Sequence, residues 1–483
     1  MKMVLLIAAL FMLPFHAFAQ PIPNLNMGET TRVRNDVVQL VGTNDRMVPI
    51  VKTKPDTDDG APDPASRAQE PETHMLTERH QSVEAATPSA IWVGGNYLPH
   101  VTFISKDTTW TVCAYRCDYR NALDAWHAAI NANFLNGARL TIRIADGVYN
   151  LDNQFFTNVT KTQYVRVIGN TTTPGKVILN FIKTKGTNFN GFSAYGGGKI
   201  GLIDGITIQS PADGTGALLS TDHLGRHTWN AQSYGSGIIA FGAGSNITVG
   251  NHVVIRNFYY SMTADNNGGI DASQGGVSMA LAGDVNAMAR GGGVIVCTPC
   301  MATDASDYTN KNIQLGSNYD AERGGSLYID GSIGSGSLIS SITGLTGGHI
   351  WAHNIIISKS LIFSSGQGVW ITGNSSAELT GCDVSGYNIG INVTNGGYAD
   401  LDLCNIHENG QSGVIADGGR LTGNSVSITD NRVYGIQAIH QGTVIMFHTY
   451  AKMHGNGTNF SAQPAGVEST SRSPYTASSM DIQ

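Results

Sequence analysis

Apolar and polar residues alternate in short runs along most of this chain, and a single segment switches to a helical period. Between Tyr119 and Phe134, the residues Leu123, Trp126, Ile130 and Phe134 recur at three- and four-residue spacing. That is the stripe of an amphipathic helix, and Asp118 stands where its N-cap would be. Leu140–Ile144 then alternates strictly, Asp146-Gly147 makes a turn, and Val148-Tyr149 resumes. Short β runs bounded by Gly and Asn follow at Tyr164–Ile168, Val177–Phe181, Ile203–Ile208, Gly237–Phe241, Val253–Ile255, Leu327–Ile329 and Ile355–Ile357.

The later runs repeat. Gly368-Val-Trp-Ile, Gly390-Ile-Asn-Val, Gly413-Val-Ile-Ala and Gly435-Ile-Gln-Ala begin units 22, 23 and 22 residues apart. Ala377-Glu378-Leu379 matches Ala399-Asp400-Leu401, and Cys382-Asp383-Val384 matches Cys404-Asn405-Ile406. A period of this length built from strands and tight turns predicts a parallel β-helix, an all-β solenoid of about ten or more coils. One coil cannot bury its own inner face, so coils stack and side chains of equal index form ladders. The Leu pattern of leucine-rich repeats is missing.

The beginning of the chain reads differently. Lys2, an apolar run from Met3 to Phe15 and Ala17-Phe18-Ala19 together form a secretory signal peptide, residues 1–19. The run is too short to span a bilayer, and no later segment is apolar enough to do so. The expectation is therefore an exported protein, extracellular or periplasmic, without a membrane span. Residues 20–51 carry two short strands around Gly42-Thr43-Asn44-Asp45. Ten of the fifteen prolines precede residue 100 and only three fall between 100 and 463, so 52–90 reads as a Pro-rich flexible linker. The β-helix is expected over 91–460, with a tail over 461–483.

Composition narrows the partners. Gly reaches 59 residues of 483, charged residues only 13%, and the net charge is −7. An acidic balance argues against a nucleic-acid partner, which needs a basic footprint. Six cysteines after a signal peptide allow three local disulfides, Cys113 with Cys117, Cys297 with Cys300, and Cys382 with Cys404. The last two share one repeat index and should stack on adjacent rungs, as a disulfide or as two free thiols. The Cys-Thr-Pro-Cys form has no thioredoxin-like surroundings, and no metal ligand set or cofactor motif is evident.

From Ala122 to Tyr149, a helix followed by "LTIRIADGVYN" resembles the entry into right-handed parallel β-helices of the pectin-lyase-like superfamily. "YVRVIGNTTTP", "GLIDGITIQS", "GINVTNGGYADL" and "GVIADGGRLTGN" continue the likeness. Over residues 90–460 the chain is most similar to phage tailspike and tail-fibre β-helices. The resemblance implies a right-handed coil and a glycan-directed role: depolymerising a polysaccharide as a hydrolase or lyase, or binding a surface glycan without cleaving it. It also implies a homotrimer, although no heptad segment accompanies it. His349-Ile-Trp-Ala-His353, followed by Lys359, has Ala352 where pectate lyases carry Asp. The polygalacturonase motifs are absent.

Candidate catalytic residues follow from alternation. Glu378 and Asp400 lie between apolar neighbours, so both point outward from the same sheet face, with Asp402 two residues on. At rung spacing one carboxylate can raise the other's pKa, the arrangement that makes a general acid. A set of solvated surface acids is the plainer alternative. Glu322 and Asp330 are a reserve pair in a stretch, Tyr319–Asp330, that breaks the period. Arg323, Trp351 and Trp370 are candidates for holding sugar rings.

Overall fold

The computed structural model describes residues 102–463 except 183–189, 211–219, 222–226, 229–234, 281, 283–284, 304–316, 336–339, 360–365 and 448–451. It also describes the strands Val37–Thr43, Arg46–Lys52, Ile91–Val93, Asn96–Leu98 and Gly466–Ser469. The signal peptide and nearly all of the linker expected from the sequence lie outside the described residues. Two units divide the chain, Met1–His74 and Met75–Gln483. In the first, Val37–Thr43 and Arg46–Lys52 pair antiparallel as a hairpin.

The second unit is a right-handed parallel β-helix, with the handedness expected of parallel crossovers. Three parallel sheets wrap one core: sheet 1 has fourteen strands, and sheets 2 and 3 have twelve each. A coil visits them in turn. His349–His353 lies in sheet 1, Ile356–Ser358 in sheet 2 and Gln367–Ile371 in sheet 3, and Ser376–Thr380 returns to sheet 1. The repeat starts Gly368, Gly390, Gly413 and Gly435 all fall in sheet 3.

Alternation decides what faces in. Leu327, Ile350, Ala377, Ala399 and Leu421 stack inside sheet 1, and Ile357, Val384, Ile406 and Ile428 inside sheet 2, all essentially excluded from water. The ladders carry polar rungs where a corner needs them. The Asn409 amide donates to Asn431 Oδ1 at 2.9 Å, and Asn431 to the half-buried Asn456 Oδ1 at 2.9 Å, which keeps the two buried amides satisfied.

The corner from sheet 3 into sheet 1 is tight. Asn395 (φ 47°) and Gly396 (φ 77°) show the left-handed turn residues it uses. Just after the turn, Gly348 packs its Cα against the Ala321 carbonyl of the preceding rung, where a side chain would collide with backbone. The longest period-breaking insertions fall instead between sheets 2 and 3. Residues 304–316 separate Cys300–Thr303 of sheet 2 from Ser317–Glu322 of sheet 3. The stretch Tyr319–Asp330 is thus no inserted loop: it is two regular rung strands joined by a short turn. Tyr319 points inward and donates to the Cys300 and Ile333 carbonyls, each at 3.1 Å.

The helix spans Ala122–Asn131, shorter than the periodicity suggests. Asn121 caps it by accepting from the Leu123 N–H, while Asp118 instead accepts from the backbone and hydroxyl of Thr111 at 2.7 and 2.9 Å. Phe134 belongs to a short strand, Asn133–Phe134, because it pairs with Phe103–Ile104. Leu123, Trp126 and Ala129 join the β-helix core from this end, beside the stacked rings of Phe155 and Phe192. At the other end, Thr458–Gln463 and Gly466–Ser469 continue the ladders beyond the expected limit at 460. Among the described residues no helix is long and apolar enough to cross a membrane.

Cys113–Cys117 and Cys297–Cys300 are disulfides. Cys382 and Cys404 are both buried free thiols, so the disulfide considered for them is not formed. Each sulfur turns to a carbonyl of an earlier strand: Cys404 donates to Leu379 O at 3.2 Å and Cys382 to Ala352 O at 3.5 Å.

Candidate functional site

Sheet 1 displays one outward ladder that changes character along the axis. Tyr328, Trp351, Glu378, Asp400 and Thr422 occupy equivalent positions on successive rungs. Each lies between two inward apolar or small neighbours, so period two sends its side chain outward. The Tyr328 and Trp351 rings stack with centroids 4.5 Å apart and planes 4° from parallel. Glu378 and Asp400 continue the line as exposed carboxylates.

Two flanking ladders complete the face. On one side run Asp330, His353, Thr380, Asp402 and Asn424. On the other run Ser326, His349, Ser376, Tyr398 and Arg420. The Asn424 amide donates to Asp402 Oδ1 at 2.9 Å, and the Asn354 amide to Asp330 Oδ1 at 3.3 Å. Thr422 donates to Asp400 Oδ1 at 2.6 Å, and its hydroxyl also meets the Tyr398 hydroxyl at 2.9 Å. One oxygen of Asp400 is therefore held. The His349 ring contacts Ser376 Oγ at 2.8 Å and tilts against Trp351.

Glu378 is electrostatically set apart. Partial desolvation beside its neighbours is the largest cause raising its pKa above the ordinary glutamate value, and the Asp400 charge is the second. His353 and a hydrogen bond from the Trp351 indole pull the other way. Tyr328 is raised first by burial and then by Glu378, which places that carboxylate within electrostatic reach of the aromatic stack. The like-charge effect expected from the sequence operates, but as the lesser of the two causes.

The face brings together Glu378, Asp400, Asp402, Asp330 and Trp351. Other candidates sit elsewhere. Glu322 ends a strand of sheet 3, and Arg323 occupies the following turn with φ 52°, its Nε 3.9 Å from Glu322 Oε1. Trp370 lies on sheet 3 and donates its indole N–H to Thr394 Oγ1 at 3.3 Å. The outward ladder of sheet 3 beside it is withdrawn from water, with Met288, Asp320, Thr343 and Ile415 all buried. Sequence reading passed over Tyr328, Tyr398 and Thr422. The signal for Tyr328 was present in Leu327-Tyr328-Ile329, which matches Ile350-Trp351-Ala352 23 residues on, but the 27 residues from Trp351 to Glu378 broke the count toward the carboxylates. Among the described residues no group of three or more His, Cys, Asp or Glu side chains could hold a metal ion.

A family model described as "Right handed beta helix region" matches residues 329–480. No curated protein matches the chain. Among solved structures, the catalytic domain of a GH87 α-1,3-glucanase in complex with nigerose is similar at 13% identity and TM-score 0.41. The match covers 69% of this chain, which spans only 64% of that domain. The A-module of the Azotobacter vinelandii mannuronan C-5 epimerase AlgE4 is similar at 12% identity and TM-score 0.39, over 72% of this chain and 94% of the module.

Proposed function

We propose that the protein is exported, binds an extracellular polysaccharide along the open face of sheet 1 and cleaves it there. The observation that carries this reading is the single ladder on which a coplanar Tyr328–Trp351 platform leads directly to Glu378 and Asp400. Aromatic faces pack against the C–H faces of sugar rings, and two carboxylates in different environments divide acid and base roles. Glu378, with its raised pKa, holds the proton that goes to the glycosidic oxygen. Asp400, oriented by Thr422, is its partner carboxylate. Neighbouring rungs lie about 4.8 Å apart, close to the spacing of about 5–5.5 Å in retaining glycosidases. In that scheme Asp400 attacks the anomeric carbon as the leaving sugar takes the Glu378 proton. Water, deprotonated by Glu378, then releases the glycosyl ester and restores both groups.

The test is to incubate the full chain with capsular and exopolysaccharides, following new reducing ends and absorbance from unsaturated uronates. Glu378→Gln and Asp400→Asn are near-isosteric, and each should lower turnover by about 10²-fold or more. Full activity in both variants would remove these residues from the mechanism. Binding without product from any polysaccharide would leave a non-catalytic glycan-binding protein.

A further inference from the structure

We infer that the sheet 1 face accepts a neutral glycan and rejects polyuronates, so that cleavage there is hydrolysis rather than β-elimination. The inference rests on the glycan reading above and adds the substrate class. From Asp271 through Tyr328, Trp351, Glu378 and Asp400 to Thr422, the central ladder carries no lysine or arginine. Asp330 and Asp402 add two carboxylates on one flank, and the fixed cation on the other is Arg420, on the rung beyond Asp400. Arg323 stands at the corner, drawn toward Glu322. The imidazoles facing this surface are His349 and His353.

A uronate carries one carboxylate per residue. A chain laid on the Tyr328–Trp351 platform and continued along the ladder would set its carboxylates against Asp400 and Asp402. Like charges within a few ångströms disfavour binding, and Glu378 already lies above its ordinary pKa in part because of Asp400. Elimination from a uronate also needs a cation to neutralise the sugar carboxylate and a base to remove the adjacent proton. The central ladder supplies no lysine or arginine for that role. Neutral sugars bring hydroxyls instead, and these can donate to Asp400, Asp402 and Asp330 while their C–H faces cover the aromatic pair.

The experiment is a binding series on the full chain at low and high salt, read by tryptophan fluorescence and checked with Trp351→Ala. The probes are dextran, soluble starch, a β-1,3-glucan and galactomannan, against polygalacturonate and alginate. At least one neutral polymer should bind about tenfold or more tighter than either polyuronate at low salt, and added salt should narrow the gap by screening. A Glu378→Gln, Asp400→Asn, Asp402→Asn variant should gain polyuronate affinity relative to the parent. Polyuronate binding by the parent as tight as that of every neutral polymer would overturn the neutral-glycan inference and leave the glycan reading intact. Absence of binding to all six polymers would overturn the glycan reading itself.

Discussion

At the scale of residues, Glu378 shows how a rung position turns an ordinary carboxyl into an acid. Its neighbours in the chain are apolar because they line the core, and its neighbours across the sheet are Trp351 and Asp400. Partial desolvation and, after it, the Asp400 charge outweigh the opposing pull of His353 and the Trp351 indole, so the folded pKa lies above the ordinary value of 4.5. By linkage, the stability this group contributes is complete below that ordinary value and is lost as pH rises through the folded one. Glu378→Gln cannot ionise, so it should be more stable than the parent at neutral pH. The gain should be about 0.5 kcal/mol or less, because the group stays exposed and solvent screens it. Thermal melts across pH should show the gap closing toward pH 4.5. A gap that widens in acid would mean the shift has the opposite sign.

At the scale of elements, the corner between sheets 3 and 1 sets how closely rungs can stack. Gly348 lies against the Ala321 carbonyl, and Gly293, Gly325 and Gly442 repeat the approach to Ala264, Ala289 and Ala416. These glycines serve close packing of backbone on backbone, which no rotamer change relieves. Gly348→Ala should therefore cost about 1–3 kcal/mol, as overpacking does. Gly175→Ala, in the short Pro174–Lys176 turn with open space around it, should change stability little. Urea midpoints of the two variants make the comparison, and equal midpoints would refute the packing argument. The longest insertions gather between sheets 2 and 3, away from these close approaches.

At the scale of the whole molecule, one continuous core runs from the Trp126 helix to Met453, with each rung supported mainly by its neighbours. Limited proteolysis should cut first within 53–90 and leave 368–447 intact. Cleavage at equal rates would contradict a stacked solenoid in that region. The 22- and 23-residue period, the alternation within each unit and the outward direction of Glu378 and Asp400 were all legible in the chain, because strand geometry is local and exact repeats preserve register. The helix was legible as a stripe but not in its limits: Asp118 was taken up by Thr111 and Phe134 by a neighbouring strand, contacts that depend on the fold. Which candidates share a face was settled only by tertiary structure. Trp351 and Trp370 look alike in sequence and stand on different sheets, while Trp351 meets Glu378 across a 27-residue spacing that extra residues elsewhere in the coil made irregular. A solenoid absorbs extra residues at a corner without disturbing its ladders, so sequence distance tells how long a coil is, and only the stacked sheets tell which side chains meet.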